Sequence, residues 1–246
     1  MRVFKHAETT VDEENPYWMS FSDIMSALLI IFILASVVLI IQLMEAQQEF
    51  DRELAELKKA EGVRKTILQE TAEALTKRGI RVTVSENDTV LSIPNEILGF
   101  DTGEYDIQGQ YQDTAEEIGR VLSQVIQKEN RLSYLDTVFI EGHTDSRPLN
   151  GFMGKGNWGL SSFRAISLWQ FWEKVLSDTL RLGALLNQEG QPLFSVSGYA
   201  ETRPVTAQQT TEEEYRMNRR IDIRFTIRRP SSSDYEALKE QVVGEM

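Results

Sequence analysis

One uncharged segment near the amino terminus constrains this chain more than any other feature. Residues 24–43, IMSALLIIFILASVVLIIQL, contain no Asp, Glu, Lys or Arg. A helix of this length rises about 30 Å, roughly the thickness of the hydrocarbon core of a bilayer. Core helices rarely run so long without a polar stripe, and the segment exceeds a signal-peptide core and precedes an acidic helical stretch instead of a cleavage site. We therefore predict a transmembrane helix that the mature protein retains.

The residues before this segment indicate where the helix begins. Asn15-Pro16 disfavours helix at Asn15 and suits Pro16 to a first helical turn. Tyr17 and Trp18 follow at the depth where aromatic rings anchor helices in the membrane interface. Lys and Arg occur on both sides of the segment, so the positive-inside rule barely decides its orientation. A short cytoplasmic amino-terminal tail is the simpler topology.

The charge balance and the shortage of certain residue types exclude several functions. The formal net charge is −12, whereas a surface that binds nucleic acid needs a cluster of Lys and Arg. The chain has no cysteine, which excludes cysteine-based zinc sites, and its two histidines, His6 and His143, argue against a multi-histidine metal site. His143 is expected to be structural. No nucleophile and base pattern is recognisable, so we predict no enzymatic activity, no metal or other cofactor, and no nucleic-acid partner.

A charged helix follows the apolar segment and continues to about Lys77, with Gly79 as its C-cap. It carries a loose apolar stripe, which consists of Phe50, Leu54, Leu57, Val63, Ile67 and Leu75. Such a stripe can pair two copies of the chain or lie on the chain's own domain, because the heptad is too short to identify a coiled coil. Both interpretations stay open at this point.

The rest of the chain predicts one α+β domain of about 150 residues, an ordinary size for a single core. Short β-type runs at 81–84 and 89–93 indicate a hairpin. The remaining predicted elements are a helix at 110–127, a strand at 136–141, a Gly-rich loop at 143–156, a helix at 160–182, a strand at 194–197, a polar connection and a strand at 221–227. The predicted fold is a two-layer α/β sandwich.

An acidic residue lies at the head of the apolar segment. Asp23 precedes the uncharged run by one residue, with Ser20, Ser22 and Ser26 nearby. An aspartate at the membrane boundary is expensive to keep ionised, which suits an ion-carrier site, although a plain interfacial aspartate favoured by the helix dipole is the alternative. Residues 16–29 resemble the start of the membrane helix in MotB-type stator subunits. The resemblance implies that Asp23 binds a transported proton or sodium ion inside a MotA-like polytopic ring that surrounds a dimer of this chain.

Four separated motifs in the distal part resemble the OmpA C-terminal peptidoglycan-binding domain. They are IEGHTDS at 140–146, N-x-x-L-S-x-x-R-A at 157–165, GYAETRP at 198–204 and MNRRIDI at 217–223. The FDTG stretch at 100–103 also matches that family's early F-x-x-G segment. Because the motifs occur in the family's order, the resemblance implies an OmpA-like domain over residues 80–229.

The same resemblance implies a pocket for diaminopimelate in the peptidoglycan stem. By motif position, Asp145 would bind its ammonium and Arg164 its carboxylate, the latter with two parallel hydrogen bonds. The other implied pocket residues are Thr144, Asn157, Leu160, Arg219 and Arg220. The alternative is a structural ion pair between Asp145 and Arg164. A glycine-rich insertion at 146–156 departs from the common pattern and puts the stem specificity in doubt.

The short acidic tail, the immediate helical continuation and the compact length resemble ZorB, the MotB-like subunit of Zorya anti-phage systems, which pairs with ZorA. A flagellar MotB-type stator and a plain peptidoglycan tether are the alternatives. All three imply an inner-membrane protein with a periplasmic carboxy-terminal domain. The expected organisation is a cytoplasmic tail (1–16), a transmembrane helix (17–44), a helical and possible dimerising linker (45–79), the OmpA-like domain (80–229) and a polar tail (230–246).

Overall fold

The computed structural model describes residues 16–85, 87–101, 103–151 and 154–229, with residues 16–20 described by their backbone alone. The chain divides into two compact units, Met1–Leu54 and Ala55–Met246. The expectations for the tail before residue 16 and for residues 230–246 therefore lie outside the described residues.

Helix α1 spans Pro16–Thr76. In the first unit its apolar side chains are exposed all around, including Leu28, Phe32 and Leu39. A helix that is apolar on every side fits a lipid surrounding, and the Ser36 hydroxyl donates to the Phe32 carbonyl oxygen at 2.8 Å within the helix. In the described part of the chain, α1 is the one helix long and apolar enough to cross a membrane.

The second unit is built on a mixed five-stranded sheet in the order β1-β2-β5-β3-β4. The strands are β1 Thr83–Val84, β2 Val90–Pro94, β3 Leu135–His143, β4 Phe194–Gly198 and β5 Arg220–Ile227. Strands β3 and β4 are parallel, whereas β1, β2, β5 and β3 pair antiparallel in turn. The predicted hairpin is therefore present as β1 and β2, with a shorter first strand than expected.

Helices form the second layer of this unit. They are α2 Asn95–Leu98, α3 Gln112–Ile126, α4 Gly156–Val175 and α5 Glu212–Asn218. The fully buried Trp172 of α4 donates through its indole nitrogen to the Ala115 carbonyl oxygen of α3 at 2.6 Å, so the two helices are fixed side by side. Ile140 of β3 and Ile223 of β5 belong to the same apolar core. This two-layer arrangement confirms the predicted α+β class.

Helices α4 and α5 also differ from the sequence prediction. Helix α4 starts at Gly156 and ends at Val175, so the predicted span of 160–182 was wrong at both ends. The chain continues into 3-10 turns, and Leu182 in one of these turns is buried. The apolar residue that extended the helical pattern is therefore explained by tertiary packing and not by a longer helix. Helix α5 lies where a polar connection was expected. Its start is fixed by a capping box between Thr211 and Glu214.

In the second unit, the last part of α1 packs on its own domain. Ala60, Ile67, Leu68 and Leu75 are buried at helical spacing along one face. The apolar stripe over residues 60–75 therefore favours the second of the two open interpretations, an amphipathic helix on its own domain. Self-association of the chain stays a prediction.

Candidate functional site

The candidate site lies at the carboxyl end of β3, where the strand meets the start of α4. The two elements approach closely at Gly142, because a Cβ placed there would overlap the backbone oxygen of Ser161. The Ser161 hydroxyl also accepts a hydrogen bond of 3.0 Å from the Ala200 backbone N–H. This approach brings the first turns of α4 beside Thr144 and Asp145, which follow β3 directly.

A cavity of about 130 Å³ opens at this junction. A cavity of this size can hold water or one small charged group. Its lining consists of Gly103, Thr144, Asp145, Arg147, Pro148, Leu149, Asn157, Leu160, Arg164 and Arg219. Six of the predicted pocket residues therefore meet at one cavity. Arg220 does not line it but pairs instead with Asp222 on the sheet, at 2.9 Å.

Arg164 is the most deeply buried charged group of the cavity, with a relative exposure of 2%. Its Nε and Nη2 donate to the backbone carbonyl oxygens of Glu104 and Asp101, each at 2.9 Å. Burial lowers the pKa of Arg164 to about 10, and the nearby Arg219 charge adds to this effect, while Asp145 opposes it. A guanidinium that is desolvated in this way gains from a negatively charged ligand.

Asp145 pairs with two other arginines and not with Arg164 among the described residues. Its Oδ2 accepts from Arg219 Nη1 at 2.7 Å and from Arg147 Nη2 at 2.6 Å. Burial acts to raise the pKa of Asp145, but the hydrogen bonds from Arg147 and Arg219 outweigh it, so the pKa lies below its ordinary value. Asp145 and Arg164 therefore do not form the ion pair that was the structural alternative.

Glu212 of α5 completes this arrangement. Its two carboxylate oxygens accept from Arg219 Nη2 at 2.7 Å and from Arg147 Nη1 at 3.0 Å. We call Asp145, Arg147, Glu212 and Arg219 the Asp145 network. It alternates two carboxylates with two guanidiniums, so its own charges balance. The charge of Arg164 consequently dominates the cavity.

Two polar side chains shape the remaining wall. The Thr144 hydroxyl is buried and has no hydrogen-bond partner among the described residues. A buried hydroxyl without a partner is costly, which points to a ligand or water at this position. Asn157 donates through Nδ2 to the Arg147 carbonyl oxygen at 3.0 Å and thereby fixes the loop after β3 to the start of α4.

Sequence reasoning missed Arg147 and Glu212. Arg147 lies in the glycine-rich insertion at 146–156, and no pattern in the sequence identifies Asp145 as its partner. Glu212 had a detectable signal, because Thr211-Glu-Glu-Glu214 is a helix-start pattern that would have placed α5 here.

A second group of side chains has the chemistry of a metal site. The donor atoms of Glu141, His143 and Asp222 lie within 4.8 Å of one another, and all three residues are buried. However, Arg224 donates two hydrogen bonds to Glu141, at 2.7 and 2.9 Å, and Arg220 holds Asp222. A metal ion would have to displace both guanidiniums, so the geometry fits a buried layer of ion pairs better than a metal centre.

Two curated proteins are similar to this chain in sequence. The uncharacterized protein YtxE of Bacillus subtilis is 30% identical over 151 residues, which are 60% of this chain and 52% of that protein. Motility protein B of the same organism is 27% identical over 149 residues, 61% of this chain and 46% of that protein. The chain is similar to motility protein B. It spans about half the length of these relatives, and no family model matches it.

A solved structure has the same fold. The putative MotB-like protein from Desulfovibrio vulgaris aligns with a TM-score of 0.51 and 18% identity, over 70% of this chain and 99% of that chain. At this identity the likeness concerns the fold alone. It confirms that this chain carries an α+β domain with the fold of a MotB-like protein.

Proposed function

We propose that this chain is a peptidoglycan-anchored, membrane-spanning subunit of a MotB-like, ion-driven stator, and not an enzyme. The observation that carries the anchoring role is the buried Arg164 guanidinium at a small cavity beside Asp145. The stem peptide of peptidoglycan offers a matching ligand, because the free end of diaminopimelate carries a carboxylate and an ammonium on one carbon.

In this proposal each end of the ligand has its own partner. The carboxylate binds Arg164, whose planar guanidinium donates two parallel hydrogen bonds to such a group. The ammonium binds Asp145, and the buried Thr144 hydroxyl hydrogen-bonds the ligand between them. Asn157 and Leu160 form the wall, and Arg219 keeps Asp145 in place.

Replacement of Arg164 tests the anchoring role. Arg164→Met should raise the Kd of the full chain for purified sacculi by at least about 30-fold, the equivalent of about 2 kcal/mol, because the ligand carboxylate loses its charged partner. Arg164→Lys keeps the positive charge but lacks the planar guanidinium with its two parallel donors, and it should retain partial binding. The measurement is the fraction of protein that pellets with sacculi over a concentration series.

Arg120→Met provides the matched control, since Arg120 is an ion-paired and partly exposed arginine of α3 outside the cavity. Its binding should equal that of the wild type. If Arg164→Met pelleted with sacculi as the wild type does, the cavity would not bind peptidoglycan and the proposed anchoring role would be wrong.

The membrane and motor roles are supported by α1 and by the similarity to motility protein B. We propose a single-pass topology in the inner membrane with the α+β domain in the periplasm. Asp23 carries a proton or a sodium ion, and a MotA-like polytopic ring encloses two copies of α1, because a single helix cannot enclose an ion path.

Asp23→Asn tests the motor role. When the variant is produced together with its MotA-like partner, we expect the complex to assemble while ion flux falls to the background level. The amide carries no negative charge, so it cannot bind and release the transported ion. Asp51→Asn, an exposed aspartate of the same helix, is the control and should keep wild-type flux. Wild-type flux through Asp23→Asn would leave a tethering protein without ion transport.

The finer assignment is ZorB of a Zorya anti-phage system, with ZorA as the ring-forming partner. It is supported by the acidic residues before α1 and by the directly continuing helix, which resemble those of ZorB. A neighbouring gene for a MotA-like protein with a long helical tail, together with a helicase or nuclease gene, would support defence. Neighbouring motility genes would support the flagellar alternative.

A further inference from the structure

We propose that Arg147 is an internal competitor, whose guanidinium occupies the position on Asp145 that the ligand ammonium takes and leaves it when the ligand binds. The inference rests on the proposed function, because it concerns the same pocket. It assigns a specificity-determining role to a residue of the loop after β3 that the sequence motifs do not include.

The carboxylate of Asp145 is already saturated in the structure. Its Oδ1 accepts from the Arg147 backbone N–H at 3.0 Å and from Arg147 Nε at 3.2 Å. Its Oδ2 accepts from Arg147 Nη2 at 2.6 Å and from Arg219 Nη1 at 2.7 Å. A carboxylate offers about four acceptor positions, so an incoming ammonium can bind only if one of these donors leaves.

Of the two guanidiniums, that of Arg147 is the one able to leave. Its side chain is 39% exposed, whereas that of Arg219 is 10% exposed. Arg219 lies directly before β5, and its backbone N–H bonds to the end of α5, which restricts its position. Arg147 belongs to a loop, so its side chain can change direction without a shift of the sheet.

Arg147 also has partners to which it can turn. Its Nη1 lies 3.0 Å from Glu212 Oε2, and its guanidinium carbon lies 4.5 Å from the centre of the Tyr215 ring. Both residues belong to α5. Because an ion pair and a cation–π contact remain after Arg147 leaves Asp145, the displacement is reversible at moderate cost.

This arrangement predicts a gain of affinity when Arg147 is removed. The probe is the tripeptide L-alanyl-γ-D-glutamyl-meso-diaminopimelate, titrated calorimetrically into the full chain in detergent micelles. Arg147→Ala should bind it about tenfold more tightly than the wild type, because the hydrogen bonds from the Arg147 guanidinium to Asp145 no longer have to be broken. Arg147→Lys should fall between the two. Arg120→Ala, which removes an ion-paired arginine elsewhere, should bind as the wild type does.

A second ligand separates competition from a change in pocket shape. When the free amine of diaminopimelate is acetylated, the tripeptide has no ammonium at its diaminopimelate end, so the advantage of Arg147→Ala over the wild type should disappear. Unchanged or weaker binding of the free tripeptide by both Arg147 variants would overturn the proposal, and so would a gain that persists with the acetylated tripeptide. If the wild type binds neither peptide, the proposed function itself fails.

Discussion

Single charged residues hold the last part of α1 against its domain. Glu70 of α1 accepts from Arg131 at 2.7 and 3.0 Å and from Lys128 at 2.8 Å. The Arg131 side chain is 8% exposed and that of Glu70 is 34% exposed. The hydrogen bonds from Arg131, and then those from Lys128, lower the pKa of Glu70 to about 2. Ionised Glu70 therefore stabilises the folded domain.

Glu70→Gln should lower the free energy of unfolding by about 1–2 kcal/mol at pH 7, after allowance for the solvent screening of a partly exposed pair. The folded pKa lies below the unfolded value of 4.5, so the contribution is complete above pH 4.5 and is lost as the pH falls towards 2. The melting midpoints of variant and wild type should therefore differ at pH 7 and converge near pH 2. Glu73→Gln, an exposed glutamate of the same helix, should melt as the wild type does at both pH values.

At the scale of secondary-structure elements, the site depends on how closely α4 approaches β3. Gly142→Ala should destabilise the domain by about 3 kcal/mol or more, because its methyl group would overlap a backbone oxygen that cannot rotate away. Gly62→Ala in α1 should instead stabilise by about 0.5–1 kcal/mol, because it meets open space in a helix interior. Thermal melting of both variants measures the contrast. A wild-type midpoint for Gly142→Ala would contradict the close packing.

The sequence predicted the elements whose apolar periodicity is strong. Strand β3, helix α3 and strand β5 lie within two residues of the predicted bounds. The end of α4 was misplaced, because the buried Leu182 continues the apolar pattern from a 3-10 turn. The apolar stripe of the linker helix did not show whether the helix packs on a second copy of the chain or on its own domain. Both kinds of packing require apolar residues at the same helical spacing.

The sequence motifs predicted most of the residues that line the cavity, but not the ion pairs that they form. Thr144, Asp145, Asn157 and Arg164 meet at one cavity as the motif order implied. The ionic partner of Asp145 depends on the conformation of a glycine-rich loop, which no local pattern in the sequence fixes. Arg147 could be found only from the geometry.

At the scale of the whole molecule, one polypeptide carries an apolar helix in its first unit and a cation-lined cavity in its second. A stator needs both, because a component that does work on its neighbours must be held against the reaction force. A protein that only senses the wall needs no aspartate at the head of its membrane helix. Asp23 is therefore what distinguishes the proposed motor role from a tether, since both roles require the cavity of Arg164.

The central claim is that a fixed guanidinium in the cavity recognises a stem-peptide carboxylate. The most direct test is a calorimetric titration of the full wild-type chain in detergent micelles with two forms of the diaminopimelate tripeptide. One form carries the free carboxylate at the amino-acid end of diaminopimelate, and the other carries a carboxamide there. We predict that the free acid binds and that the amide binds at least about tenfold more weakly, because Arg164 loses its charged partner. Equal affinity for the two peptides, or no binding of either, would contradict the account.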